Sequence, residues 1–254
     1  MTALWAAGKH RTPRKAVKEW FRRQVEEGGF PGSNGMDASA EMAGAILLAW
    51  HLESNRLYET GIRPAADFLC RAGEGSTDPE ICIAALVCAA NLAQACGDSD
   101  SARLYLERAD RWRDSLHETG PDSLNPETAL RRVRFGLLAP EDPGVRNALI
   151  ESPSYGRTSE EQPEGLPVVT IGNRAHYELD LDRDITPYLS QLEEIAEERG
   201  GFPERWLPAG EPGGSVPDLS SHAEYVRLLI SQSWGTVCDH PPVVKARCAR
   251  HSPD

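Results

Sequence analysis

The sequence predicts an all-α protein built from helical hairpins, and three observations support that prediction. Apolar residues recur at helical spacing along most of the 254 residues, as at Met42, Ile46 and Trp50. Several of these stretches open with a polar residue followed by proline, which is typical of a helix start. Only Leu166–Ile171 has the composition of a strand. Helices joined by short turns bury their apolar stripes by pairing as hairpins.

The predicted helices follow one another with short connections. Glycine closes several of them, as at Gly97 and at Gly200-Gly201, and the segments Glu151–Gly165 and Leu207–Pro217 are predicted loops. Neither loop is typical of an interdomain linker, so we expect residues 1–254 to form a single domain. The predicted helical ranges are Thr12–Glu27, Asp37–Glu53, Leu57–Ala72, Asp78–Cys96, Asp98–Glu118, Asn125–Leu138, Asp142–Ile150, Thr186–Arg199 and a last helix from Ser220 or Ser221 to Ser233.

Composition narrows the class of protein. The net charge of −12 disfavours nucleic acid and anionic membrane as partners. No apolar run reaches the roughly 20 residues of a membrane-spanning helix, and the first 15 residues do not have the pattern of a signal peptide. The six cysteines form no C-x-x-C pair, so we expect reduced thiols and a cytoplasmic protein, without a disulfide framework or a zinc site.

Several short segments of the chain resemble motifs of one known protein family, and they occur in the same order as in that family. Gly172–Leu179 is similar to a GERGHYEL segment, Phe202–Trp206 to an LPEQVW motif, and His222–Leu229 to a final helix that contains HAEY. Arg63–Leu69 and Ala84–Ala90 resemble two earlier helices. On these motifs the chain resembles the bacterial glucoamylases and glucodextranases of glycoside hydrolase family 15. The resemblance implies an (α/α) toroid of helical hairpins, incomplete relative to the family's six-hairpin barrel.

The chain departs from the family pattern in segments that lie, in the family, at the ligand-binding end of the toroid. There is no counterpart of the WPRD segment, and Glu80 runs directly into Ile81 where the family has an RWEE segment with its general acid. The stretch from Ser152 to Gly165 replaces a loop resembling RYNHDGYGE, and Asn173 replaces the glutamate of GERGHYEL. These losses argue against ordinary glucoamylase activity.

Two carboxylates are the candidate catalytic residues. Inverting glycoside hydrolysis needs one carboxyl group as acid and another as base. The resemblance places the base at Glu204, in the PEQVW-like motif, and the alternative is a surface glutamate paired with Arg205. Glu80 is the carboxylate nearest to the position of the missing acid, and the alternative is a helix-terminal residue that complements the macrodipole.

Four further residues are candidates for substrate binding: Arg174, Trp206, Arg205 and His176. Arg174 presents five fixed donors that suit an oxygen-rich ligand, with an internal ion pair to Glu178 or Asp180 as the alternative. Trp206 lies beside Glu204 in the sequence and can wall a pocket. His176 is either a proton carrier or a packed structural histidine. No metal-ligand spacing or phosphate-binding loop is present, so we expect neither a metal nor a cofactor.

Three functions remain open from the sequence. The first is a repurposed enzyme in which Glu204 performs acid/base chemistry, such as cyclisation, isomerisation, dehydration or ring opening, on a small organic molecule of specialised metabolism. The second is a hydrolase of α-glucosides, and the third is a non-catalytic protein that binds a ligand or a partner. If helices preceding the Thr12–Glu27 and Asp37–Glu53 hairpin are missing, we expect a second copy or another protein to cover that hairpin.

Overall fold

A computed structural model describes residues 1–24, 38–72, 76, 78–118, 124–151, 155, 166–206 and 212–249. Nearly all the regular structure in this part of the chain is helical, as predicted. The helices are α1 (Thr2–Ala6), α2 (Arg11–Arg22), α3 (Ala38–His51), α4 (Arg63–Ala72), α5 (Pro79–Ala95), α6 (Ser99–Glu118), α7 (Pro126–Arg134), α8 (Pro143–Glu151), α9 (Val168–Asp180), α10 (Thr186–Arg199), α11 (Leu219–Trp234) and α12 (Pro242–Ala249). A 3₁₀ turn (Asn55–Leu57) and a π-helical turn (Tyr58–Ile62) precede α4.

The contacts group the chain into two compact units. The first comprises Met1–Pro121, Phe135–Leu138 and Pro241–Asp254, and the second comprises Asp122–Arg134 and Ala139–His240. The single domain expected over residues 1–254 remains a prediction.

Helix α5 forms the centre of the first unit. It packs against α3 and α6, and its side chains are buried on nearly every side. Small residues such as Ala85 and Ala89 are fully buried there, so neighbouring helices can approach closely. Two buried tyrosines donate hydrogen bonds across this unit, Tyr58 Oη to Asp98 Oδ2 and Tyr105 Oη to Asp67 Oδ1, both at 2.8 Å.

The two helices of the predicted N-terminal hairpin differ in burial, since most residues of α2 are exposed. Helix α3 buries Met42, Ile46 and Leu48 within the core of the first unit. Among the described residues up to His51, the large apolar side chains that remain exposed are Met1, Leu4 and Trp20. Coverage of the hairpin by a second copy or another protein remains a prediction.

Helix α9 lies at the centre of the second unit and packs against α7, α10 and α11. Beside it is a small antiparallel sheet in the order β1 (Leu166–Pro167), β2 (Arg205–Trp206) and β3 (Pro212–Gly213). Leu166 pairs with Trp206, and Arg205 pairs with Gly213. The sheet fixes the chain that leaves α10, where Gly200 ends the helix with a left-handed φ of 69°.

Several sequence-based boundaries were wrong. The predicted strand Leu166–Ile171 stops after Pro167, and the β-branched residues that follow it open α9 instead. Burial of Val168 and Ile171 in the core of the second unit outweighs their strand propensity. Two strand residues, Pro212 and Gly213, fall in the predicted loop Leu207–Pro217, and helices α1, α9 and α12 were not predicted. The predicted loop Glu151–Gly165 begins with the last residue of α8, and most of it lies outside the described residues.

No helix in the described residues is long and apolar enough to cross a membrane. Within the same residues, no group of three or more histidine, cysteine, aspartate or glutamate side chains is arranged to hold a metal ion. All six cysteines are free thiols; Cys96 is exposed and the other five are buried.

Candidate functional site

Glu204 is an exposed carboxylate on a firmly fixed backbone. It lies between α10 and β2, where its N–H donates to Ser215 O at 3.0 Å and its carbonyl accepts from Val168 N at 3.1 Å. These two hydrogen bonds join the backbone of Glu204 to a neighbouring segment on each side, in the manner of a residue within a β-sheet. The carboxylate lies over Gly214, where an added Cβ would come within 2.3 Å of Glu204 Oε2. Gly214 has a left-handed φ of 76°, so glycine suits both the backbone and the contact.

The two neighbours of Glu204 that were predicted to bind substrate lie on β2. Arg205 and Trp206 are both half-buried. Trp206 packs against the apolar core of the second unit. The structure therefore brings Glu204, Arg205 and Trp206 together on one short, hydrogen-bonded segment.

Glu80 is in a different environment. It lies in the first turn of α5, in the first compact unit, and only 4% of its surface is exposed. A carboxyl group in this position complements the helix macrodipole, which was the alternative role considered for it. A general acid must reach the glycosidic oxygen, and the buried Glu80 side chain does not offer that access.

Arg174 forms the internal ion pair that was the alternative to substrate binding. Its Nε and Nη2 both contact Glu178 Oε1, at 2.9 and 2.8 Å, and its guanidinium carbon lies 5.4 Å from the centre of the Tyr177 ring. Arg183 Nη1 binds the other oxygen of Glu178 at 2.8 Å. Arg174 Nη1 is buried and has no hydrogen-bond partner among the described residues. Because this nitrogen is buried, the structure supports the ion pair and not an exposed ligand contact for Arg174.

His176 is buried between protein partners. Its Nδ1 lies 3.3 Å from Glu224 Oε1, and its Nε2 lies 3.3 Å from Ser231 Oγ. Serine, histidine and glutamate in this order match the connectivity of a catalytic triad. However, none of the three is more than 1% exposed, and Ser231 Oγ also accepts from Cys238 N at 2.9 Å. The arrangement has the burial and the internal hydrogen bonds of a structural network.

His222, which begins the HAEY-like segment, also contacts groups within the protein. Its Nδ1 lies 2.7 Å from the carbonyl oxygen of Asp218, at the start of α11. Its ring meets that of Phe202 edge to face, with centroids 4.8 Å apart.

A buried ionic group, which we term the Glu224 cluster, was missed by sequence reasoning. Glu224 accepts from Arg134 Nη1 and Nη2, at 2.8 and 3.1 Å, and it also pairs with Arg227. Arg134 Nη2 reaches Asp239 at 3.0 Å. The members are Arg134, Asn173, His176, Glu224, Arg227 and Asp239, contributed by α7, α9, α11 and the segment after α11.

The cluster keeps its carboxylates ionised. Burial by itself raises the pKa of Glu224, but Arg134 and Arg227, with His176, outweigh burial and hold that pKa well below its ordinary value. The same two guanidinium groups outweigh the effect of burial on Asp239 and lower its pKa. Because these ion pairs are buried and join side chains of α7, α9 and α11, they fix the packing of the three helices.

Gly172 permits the close contact between α9 and the cluster. A Cβ at this position would lie 2.2 Å from Glu224 Cγ. Close packing therefore requires glycine at the first position of the GERGHYEL-like segment. Sequence spacing could not reveal the cluster, since Arg134 and Glu224 are 90 residues apart.

The fold defines an all-α class of protein, and the comparisons with known proteins show that it is similar to bacterial glucoamylases. The chain is 29% identical to a glucoamylase from Clostridium sp. (strain G0005) over 287 residues, covering 82% of this chain and 41% of that protein. A crystal structure of a bacterial glucoamylase complexed with acarbose matches 97% of this chain and 49% of its own, with a TM-score of 0.81 and 24% identity. No family model matches the sequence.

These findings confirm the predicted resemblance to the bacterial glucoamylases and the all-α toroid fold class. The chain spans less than half the length of either protein. The aligned length of 287 residues exceeds the 254 residues of this chain, so the alignment must open gaps within it. Residues of the relative are therefore missing from the interior of the matched region, as the sequence departures indicated.

Proposed function

We propose that this glycoside hydrolase-like scaffold is a repurposed enzyme in which Glu204 acts as a general base on a small organic molecule. The observation that carries the proposal is the setting of Glu204, a carboxylate that is exposed to solvent on a backbone hydrogen-bonded on both sides. A base must be positioned and accessible to take a proton, and such a group contributes roughly two to four orders of magnitude in rate.

The surroundings of Glu204 suit the binding of a small molecule. The half-buried Trp206 offers an apolar surface two residues away, and alternation along the extended segment places its side chain on the same face as that of Glu204 and that of Arg205 on the opposite face. Arg174 lies in the same unit, but it is buried and paired with Glu178, so it does not offer an exposed donor beside Glu204. A cyclisation, isomerisation, dehydration or ring opening needs one well-placed base or acid, and Glu204 supplies it.

Hydrolysis of α-glucosides is the second candidate, and the similarity to glucoamylases favours it. That reaction requires a second carboxyl group acting as the acid. The only candidate from the sequence, Glu80, is buried. We therefore rank hydrolysis behind base catalysis.

Two assays on one set of proteins separate the candidates. The first assay follows the ring opening of 5-nitrobenzisoxazole. Removal of the ring C–H proton breaks the N–O bond and forms a coloured phenolate, so the rate of colour formation reports a positioned base. The second follows glucose release from maltose and maltotetraose. The variants are Glu204→Gln, which removes the base, and Glu194→Gln, a matched control at an exposed glutamate on α10.

We expect saturable proton removal that falls at least about tenfold in Glu204→Gln and is unchanged in Glu194→Gln. An equal rate in all three proteins would refute a role for Glu204 as a base. Glucose release that disappears in Glu204→Gln would instead establish the hydrolase and require a replacement acid.

A further inference from the structure

A groove on the first unit carries a charge opposite to that of the whole chain. It has a volume of about 1100 Å³ and runs between one face of α2 and the turn Leu52–Leu57. Six lysine and arginine side chains line it, with two glutamates. The segment Lys9–Arg23 contains seven of the 27 lysines and arginines but only one acidic residue, in a protein of net charge −12.

Most of these cations have no acidic partner. Glu19, the one acid of α2, is shared by Arg22 and Arg23 at distances of 2.9 and 3.1 Å. No ion pair involves the other lining cations within the part of the chain that the structure describes; these are Arg11, Arg14, Lys15, Lys18 and Arg56. Unopposed cations on both walls of a concave surface repel one another until an anion binds between them.

The positions of the cations form a stripe. Arg11, Lys15, Lys18 and Arg22 are three or four residues apart, so they project from one face of α2. At 1.5 Å per residue, this stripe is about 16 Å long. Arg56 faces it from the opposite wall of the groove. Guanidinium groups bind phosphate and carboxylate oxygens in a bidentate manner, and the aliphatic stems of these side chains can pack against a ligand's carbon skeleton.

We propose that this groove is a binding site for a small, multiply charged anion that carries phosphate or carboxylate groups. A long polyanion or an anionic membrane would extend beyond the groove. Because the chain outside Lys9–Arg23 is strongly acidic, such a partner would meet repulsion within about one Debye length, roughly 10 Å. A ligand no longer than the stripe gains the attraction without that repulsion. The site does not involve Glu204 and is independent of the catalytic proposal.

Calorimetric titration of the full chain at physiological salt tests the site, with tripolyphosphate and citrate as probes. We expect one saturable site per chain for at least one probe. Preference for tripolyphosphate would assign phosphate as the recognised group, and preference for citrate would assign carboxylate.

Two double variants, each lacking two positive charges, test where the anion binds. Arg11→Gln/Arg14→Gln removes two groove cations, whereas Arg103→Gln/Arg111→Gln removes two exposed cations from α6 and changes the net charge equally. We expect at least about tenfold weaker binding for the first double variant and at most twofold for the second, because only the first loses charge-assisted contacts. Circular dichroism checks that both remain helical. Equal weakening in the two double variants, or no saturable binding of either probe, would overturn the proposal.

Discussion

The clearest test of the structure is removal of the charge at the centre of the Glu224 cluster. Glu224→Gln keeps the size and shape of the side chain but leaves Arg134 and Arg227 with one carboxylate fewer. Glu224 is 1% exposed, so water cannot replace the lost partner. Breaking a buried ion pair by removing one member costs about 3–5 kcal/mol. Because Arg134 keeps Asp239 at 3.0 Å, we expect the lower end, about 3 kcal/mol.

The loss is measured as the free energy of unfolding in urea and as the melting temperature. For a chain of this size, 3 kcal/mol corresponds to roughly 6–12 °C. The control is Glu193→Gln, which removes an exposed carboxylate that accepts from Tyr225 Oη at 2.7 Å and should cost about 1 kcal/mol or less. If Glu224→Gln proved no more costly than this control, the cluster would not stabilise the fold as argued.

Two further predictions follow from the same geometry. Alanine should have opposite effects at two helical glycines: Gly44→Ala meets no atom within 4 Å and should stabilise by about 1 kcal/mol, whereas Gly172→Ala drives a Cβ into Glu224 and should destabilise by about 1–3 kcal/mol. Equal effects in urea unfolding would contradict the close contact at Gly172. Because the folded-state pKa values of Glu224 and Asp239 lie below their ordinary values of 4.5 and 3.8, the stability they provide is full above those values and is lost as pH falls below them. Between pH 7 and pH 3, the free energy of unfolding should therefore fall more steeply for the native chain than for Glu224→Gln. The same pH dependence in both proteins would show that Glu224 is not coupled to the cluster.

Local patterns in the sequence were sufficient for much of the architecture. Proline at a helix start and glycine at a helix end act over a few residues, so α5 and the end of α10 at Gly200 were predicted close to their observed positions. Local preference was overruled where burial competes with it. The β-branched residues after Pro167 form the start of α9 because their side chains fill the core of the second unit.

For the candidate site, too, some features could be predicted from the sequence and others depended on the tertiary structure. The order of family-like motifs was enough to single out Glu204 and its neighbours on β2, because these residues are adjacent in the chain. The pairing of Arg174 with Glu178 was foreseen as an alternative, since residues four apart meet on one helix face. The exposure of Glu204 and the burial of Glu80 depend on the packing around them.

The sequence by itself determined the helical class and the resemblance to glucoamylases, because each is written in consecutive residues. Only the tertiary structure decided which charges meet. Arg134, Glu224 and Asp239 come together from three parts of the chain, and their burial converts ordinary surface residue types into a structural ionic network. The basic face of α2 could be read from the helix alone, but the opposing wall that makes it a groove comes from the turn after α3. Side-chain charge is a property of the sequence, whereas its partners and its exposure to water are properties of the fold.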